Sequence, residues 1–246
     1  MKAMILAAGL GTRLRPLTND RPKALVDVAG RTMLEITLAR LKDFGVREVT
    51  INVHHFADMV VDYLKTHGNF DMRVEISRED VLLDTGGGLK KAGWFFLENE
   101  STEPFLLHNV DIISTIDLRR MVQVHRESDA LATLAVQQRS SSRYLLFNDA
   151  NQLCGRRASR EHAEEIVCPS ANLHARAFAG IHVISPKLLT MLTENGTFSI
   201  IGSYVRLAAA GEKIQGFAAD EYYWRDLGKP DQVAQAADDY RRGLFQ

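Results

Sequence analysis

The stretch Lys2-Ala3-Met4-Ile5-Leu6-Ala7-Ala8-Gly9-Leu10-Gly11-Thr12-Arg13-Leu14-Arg15-Pro16 decides the fold. Its apolar opening, Lys2–Ala7, has the length of one buried strand, and the run passes at once into a glycine turn that carries an arginine. Open α/β sheets gather their ligands just beyond the carboxyl ends of the strands, which is where Gly9, Gly11 and Arg13 fall. Two glycines let backbone N–H groups approach a polyphosphate, and Arg13 supplies a planar, permanently charged fork suited to phosphate oxygens. A dinucleotide fingerprint is excluded, because Leu14 stands where a small residue is needed and Pro16 stops a helix from running on. No Gly-Lys-Ser/Thr ending marks a P-loop either.

Outward from this turn, short β-rich runs alternate with amphipathic stretches, the pattern of a parallel sheet covered on both faces. The expected strands are Lys2–Ala7, Glu48–Val53, Arg73–Ile76 and Pro104–His108, with crossover helices at Met33–Phe44 and Ala57–Leu64. A helix over Leu118–His125 precedes an alternating strand, Ala130–Gln137. Ser185-Pro186 reads as a helix start, so Phe178–Ile184 is a strand feeding a helix over Lys187–Leu192, with further helices at Ile200–Ala210 and Pro230–Arg241. Residues 149–177 crowd Arg156, Arg157, Arg160, Glu161, Glu164 and Glu165 with little periodicity and read as a mobile insertion or lid. The expectation is one α/β domain over 1–246, a Rossmann-like, mostly parallel sheet with helices on both faces.

Composition narrows the class. The 246 residues carry 30 Lys and Arg against 31 Asp and Glu, a net charge of -1, so no nucleic-acid footprint is implied. The apolar run Ala3–Leu10 is far short of a membrane span and is followed by Arg13, Arg15, Arg21 and Lys23, and it lacks the form of an export signal. Cys154 and Cys168 show no C-x-x-C spacing and read as reduced thiols of a cytoplasmic protein. His54, His55 and His108 have no zinc-ligand spacing and read as polar packing or site lining.

The turn continues to Thr18 and then Pro22-Lys23, giving G-x-G-T-R-x-x-P-x-T followed by P-K. This closely resembles the signature of the sugar-1-phosphate nucleotidylyltransferases, which make NDP-sugars from an NTP and a sugar 1-phosphate. The resemblance covers essentially the whole chain. Asp84-Thr85-Gly86-Gly87-Gly88 is similar to the family's glycine-rich base-binding loop, His108-Asn109-Val110-Asp111 to its strand-end metal aspartate, and Trp224-Arg225-Asp226-Leu227-Gly228-Lys229-Pro230 to its W-x-D-I/L-G-x-P element. The short length and triple glycine look closest to the stand-alone N-acetylmuramate-1-phosphate uridylyltransferase type. The resemblance implies a nucleotidyltransferase fold related to the GT-A type.

On this resemblance Arg13 holds the leaving pyrophosphate and Lys23 sits near the α-phosphate, while Asp111 and Asp226 ligate Mg2+. Ala8, Gly9, Gly11 and Thr12 cradle the nucleotide, Gly86 and Gly87 let a flat base lie against the backbone, and Glu79 reads the base edge. Asn109 and Gly180 serve the sugar, with Asn52 a candidate for ribose or sugar hydroxyls or a satisfied buried amide. Both substrates are small molecules, an NTP with UTP favoured over GTP and a sugar 1-phosphate; a homo-oligomer is left open. Three departures stand out: Val110 replaces a small residue, Asp84 replaces a glycine, and no E-K-P acceptor element occurs between 140 and 180, where only Arg143, Arg156 and Arg157 offer substitutes. A catalytically silent paralogue is disfavoured because Arg13, Lys23, Asp111 and Asp226 are all present, and an NAD oxidoreductase fails on Leu14, Pro16 and a missing acid after the second strand.

Overall fold

A computed structural model describes residues 1–158 and 164–245. Four strands, β1 (Lys2–Leu6), β2 (Glu48–Val53), β3 (Arg73–Arg78) and β4 (Phe105–Asn109), lie parallel in the order β3-β2-β1-β4. Helices α1 (Met33–Phe44) and α2 (Ala57–Thr66) make the first two crossovers, and α3 (Asp84–Lys91) with α4 (Gly93–Leu97) makes the third. Leu6 is level with both Asn52 and Asn109, so the chain leaves all three strands at one edge of the sheet. That register gathers the glycine turn, the 52–54 segment and Asp111 in one place.

Past β4 the sheet changes direction. Strand β5 (Ile112–Ser114) and helix α5 (Leu118–Ser128) lead to β6 (Ala132–Gln137), β7 (Arg143–Phe147), β8 (Leu153–Ala158), β9 (Glu164–Ile166) and the long β10 (His174–Ile184). Strand β10 is antiparallel to β4, β6 and β7, and β7, β8 and β9 extend the sheet as antiparallel neighbours. Then follow α6 (Lys187–Thr190), α7 (Ile200–Ala209), β11 (Ile214–Ala218), β12 (Trp224–Asp226) and α8 (Pro230–Arg241). Strand β11 runs parallel to β6, and β12 pairs antiparallel with β5, setting Asp226 opposite Ile112. Among the described residues, no helix is long and apolar enough to cross a membrane.

Strand alternation divides the core between the two faces of the sheet. Ala3, Ile5 and Leu106 pack with Leu34, Leu38 and Val60 of α1 and α2, whereas Met4, Phe105 and Leu107 pack with Leu89, Phe95 and Tyr204 of α3, α4 and α7. Helix α1 spans the residues expected from its apolar stripe; Thr32 Oγ1 accepts from Glu35 N at 3.1 Å at its start, and Gly45 (φ 107°) ends it. The described part of 149–177 carries strand pairing that its composition hides, with Arg156 and Arg157 of β8 paired to Glu165 and Glu164 of β9. Residues 159–163, including Arg160 and Glu161, lie outside the described residues.

The glycine run expected as a loop is the opening of helix α3. A Cβ on Gly86 would lie 2.4 Å from the Phe198 ring, and one on Gly87 would lie 2.4 Å from the Gly196 carbonyl. One on Gly88 would lie 2.7 Å from Glu79 Oε1. The run is thus a packing device that lets α3 sit against the 196–198 segment and the ends of β2 and β3. Gly86→Ala is expected to lower unfolding free energy by about 1–3 kcal/mol, the range for forcing extra volume into a packed site. Denaturant unfolding checks this, and an unchanged midpoint would show that the 196–198 segment, whose Phe198 carbonyl would also lie 2.9 Å from that Cβ, shifts without cost.

Candidate active site

Two adjoining clefts open at the carboxyl edge of the parallel strands. The first, about 350 Å3, is walled in part by Ala8, Gly9, Lys23, Glu79, Thr85 and Asp111. The second, about 890 Å3, is walled in part by Arg13, Asn109, Arg139, Gly180, Trp224 and Asp226. Asn109 borders both, so the clefts meet beside it.

The glycine turn sets the roof of the first cleft. Among the described residues, the N–H groups of Gly9, Leu10 and Gly11 meet no protein acceptor, which leaves donors for an anion. Gly11 shapes the turn from outside the walls: its φ is 64°, a Cβ there would come within 2.9 Å of Thr18 Cγ2, and Thr18 Oγ1 donates to its carbonyl at 2.8 Å. Thr12 begins a short 3-10 turn and borders neither cleft. Pro22 positions the turn Lys23–Leu25, and the Lys23 ammonium forms an ion pair with Asp111 Oδ2.

Asp111 and Asp226 converge because β12 pairs with β5, and the Leu227 N–H donates to the Asp111 carbonyl at 2.8 Å. Asp226 Oδ1 accepts from Gly228 N at 2.7 Å. A Cβ on Gly228 would lie 3.0 Å from Arg13 Nη2, so this glycine makes room for the guanidinium beside Asp226. Burial pushes the Asp226 carboxyl above the usual carboxylate range and the charge of Asp111 adds to the rise, opposed by the Gly228 N–H, Lys23 and Arg13. Among the described residues, no cluster of three or more His, Cys, Asp or Glu side chains could hold a metal. A cation here would have two carboxylates and take its remaining oxygens from water and substrate, the donor set that Mg2+ accepts.

The expected base readers differ in their access to the first cleft. Gly86 and Gly87 both donate their N–H groups to the Phe198 carbonyl, at 2.9 and 3.3 Å, and neither borders a cleft; Asp84 and Thr85 do. Glu79 does border the first cleft, yet it is only 4% exposed and engages protein donors through both oxygens. Asn52 Nδ2 donates to Oε1 at 2.7 Å and Leu83 N to Oε2 at 2.9 Å, while Ala7 N donates to Asn52 Oδ1 at 2.7 Å. The Asn52–Glu79 pair thus ties the ends of β1, β2 and β3 to the start of α3, which is the satisfied-amide reading of Asn52.

Asn109 and Gly180 come together in the second cleft. A Cβ on Gly180, at φ 78°, would lie 3.2 Å from Asn109 Nδ2, and Asn109 Oδ1 is buried without a partner. His108 and His182 are packing groups held neutral, since burial drives their pKa values down to about 4 and about 3. Arg139 was not singled out by the sequence, because it sits in a polar run with no periodicity.

The family model for nucleotidyl transferases matches residues 2–243, and the chain belongs to that family of enzymes. N-acetylmuramate alpha-1-phosphate uridylyltransferase of Caulobacter vibrioides is 34% identical over 237 residues, covering 93% of this chain and 92% of that one. Mannose-1-phosphate guanylyltransferase 1 of Arabidopsis thaliana is 32% identical over 94% of this chain, which spans 62% of that relative's length. The fold matches HddC of Yersinia pseudotuberculosis complexed with GMP-PN, with a TM-score of 0.76 at 20% identity over 97% of this chain and 99% of that one.

The raised Asp226 titration has a consequence for stability. A carboxyl whose folded pKa lies above its unfolded value favours the folded state at low pH, and that contribution is lost as pH rises through the folded value. Asp226→Asn is therefore expected to raise the melting temperature at neutral pH without divalent ions, with the gain vanishing as acid protonates the wild-type side chain. Melting curves across pH check this; a less stable variant at neutral pH would show that the Asp226 charge is already compensated.

Proposed function

We propose that this enzyme is a sugar-1-phosphate uridylyltransferase that converts UTP and a sugar 1-phosphate, foremost N-acetylmuramate 1-phosphate, to the UDP-sugar and pyrophosphate. The observation that carries the reading is the convergence of Arg13, Lys23, Asp111 and Asp226 where the two clefts meet. An oxygen of the acceptor phosphate attacks the α-phosphorus of UTP, the bond to the bridging oxygen breaks, and that oxygen leaves with the β- and γ-phosphates as pyrophosphate. Both reactants are anions, so alignment and charge neutralisation are the protein's task, and no side-chain nucleophile is needed.

In this reading the N–H groups of the glycine turn receive the triphosphate, Arg13 balances the charge gathering on pyrophosphate, and Lys23 faces the α-phosphate. Asp111 and Asp226 are the residues that would hold Mg2+, which supplies Lewis-acid neutralisation of phosphate oxygens. Asn109 Oδ1, buried and unpartnered, offers an acceptor to a sugar hydroxyl beside Gly180. The 34% identity to a uridylyltransferase supports UTP.

The test is a pyrophosphate-release screen of the four NTPs against N-acetylmuramate, glucose and mannose 1-phosphates. UTP with N-acetylmuramate 1-phosphate is expected to give the highest kcat/KM; a strong GTP preference would replace the uridylyl assignment with a guanylyl one. Asp111→Asn is expected to lower kcat by about 10²-fold or more while circular dichroism remains native, and Arg13→Ala to lower kcat/KM by about 10²-fold, the scale of losing one preorganised charge. Wild-type rates in either variant would remove that residue from the reaction.

A further inference from the structure

The second cleft is lined by five arginines, and they are not equivalent. Arg156 and Arg157 are neutralised across the strands by Glu165 and Glu164, at 2.6 and 3.1 Å. Arg13 stands over Gly228 beside Asp226, on the pyrophosphate side of the reading above. Arg143 is exposed, and no side-chain contact fixes it among the described residues.

Arg139 differs from all four. Its guanidinium lies over the Trp224 ring, 3.9 Å from the centroid; Nη2 donates to the Phe178 carbonyl at 2.8 Å and Nη1 reaches the Ser140 carbonyl at a long 3.5 Å. Among the described residues no carboxylate pairs with it, and its Nε is buried with no partner. Burial lowers its pKa, and the nearby charge of Asp226 partly offsets that fall. Trp224 and Asp226 are two residues apart on β12, so their side chains leave the same face, roughly 7 Å apart along the strand. A guanidinium stacked on the tryptophan is therefore held one step from the carboxylate pair, in a cleft that also contains Asn109 and Gly180. An immobilised cation without a counter-ion is an anion site built in advance, since its orientation is already fixed before a ligand arrives.

We infer that Arg139 binds the phosphate of the acceptor sugar 1-phosphate, in a chain that lacks the family's E-K-P element. Planar donors on one guanidinium suit two oxygens of a phosphate monoester, and the ring beneath it sets the plane in which they point. This rests on the uridylyltransferase reading and names the residue that receives its second substrate. Arg139 then neutralises the acceptor and aims it toward the α-phosphate; it contributes nothing to holding UTP.

The experiment measures initial rates of wild type, Arg139→Gln and Arg139→Lys with UTP, against both N-acetylmuramate 1-phosphate and glucose 1-phosphate. Melting temperatures identify any loss of the Trp224 stack. Arg139→Gln is expected to raise KM for both acceptors by about 10- to 100-fold, the scale of a charge-assisted contact, with KM for UTP within about twofold. Arg139→Lys keeps the charge without the planar fork, so it should recover part of the loss. An unchanged acceptor KM, or an equal rise in KM for UTP, overturns the assignment. So does a loss confined to N-acetylmuramate 1-phosphate, which would place Arg139 on the sugar's carboxylate instead. If wild type transfers uridylyl to neither acceptor, the functional reading itself fails. In that case, inorganic phosphate binding by calorimetry decides Arg139 separately: weaker binding in Arg139→Gln supports the anion site, and equal binding rejects it.

Discussion

Two carboxylates that repel each other are forced together at the centre of this molecule. Asp111 ends the path from β4, Asp226 ends β12, and the pairing of β12 with β5 leaves them no freedom to separate. Asp111 is only 8% exposed, and the Asp226 carboxyl is pushed upward by burial and by its neighbour. Such a pair is stable only among cations, and the chain supplies Lys23 as an ion pair and Arg13 beside Gly228. Under the proposed function, the same imbalance that costs folding energy is what would draw a divalent ion and the phosphates it accompanies.

Much of the surrounding structure serves to keep that arrangement rigid. The level ends of β1, β2 and β4 deliver the glycine turn, Asn52 and Asn109 to one edge. Asn52 and Glu79 then lock the first cleft by accepting the Ala7 and Leu83 N–H groups and bonding to each other, with Gly88 thinning α3 so that it can approach them. A buried carboxylate with both oxygens satisfied is a strut. Removing it would leave two donors, Asn52 Nδ2 and the Leu83 N–H, unpartnered.

The parallel half of the fold was legible because its signals are local. Apolar runs of strand length, the stripe in Met33–Phe44 and the Pro at the head of α8 each depend on residues close in sequence. The placement of Arg13 and Asp111 at the carboxyl edge of the sheet was legible, the one after a glycine turn and the other after an apolar strand. What escaped was set by tertiary contact. The triple glycine invites a loop reading, whereas its purpose is visible only with Phe198 and Gly196 in place. Asp84 takes φ 59°, the left-handed conformation in which a glycine would sit more easily, so that departure is a backbone matter that composition alone could not reveal. The strands β8 and β9 are charged on both sides because they pair with each other, and Arg139 acquires meaning only from a tryptophan far along the chain.

In the proposed function Asp111 and Asp226 act as one divalent-ion site that is completed by substrate phosphates. Titrating Mn2+ into the protein by electron paramagnetic resonance, with and without UTP, tests this most directly. It predicts about one tightly held ion when UTP is present, weak binding when it is absent, and loss of the tight ion in the Asp111→Asn, Asp226→Asn double variant. Equal Mn2+ affinity in the double variant and the wild type, both saturated with UTP, would contradict it.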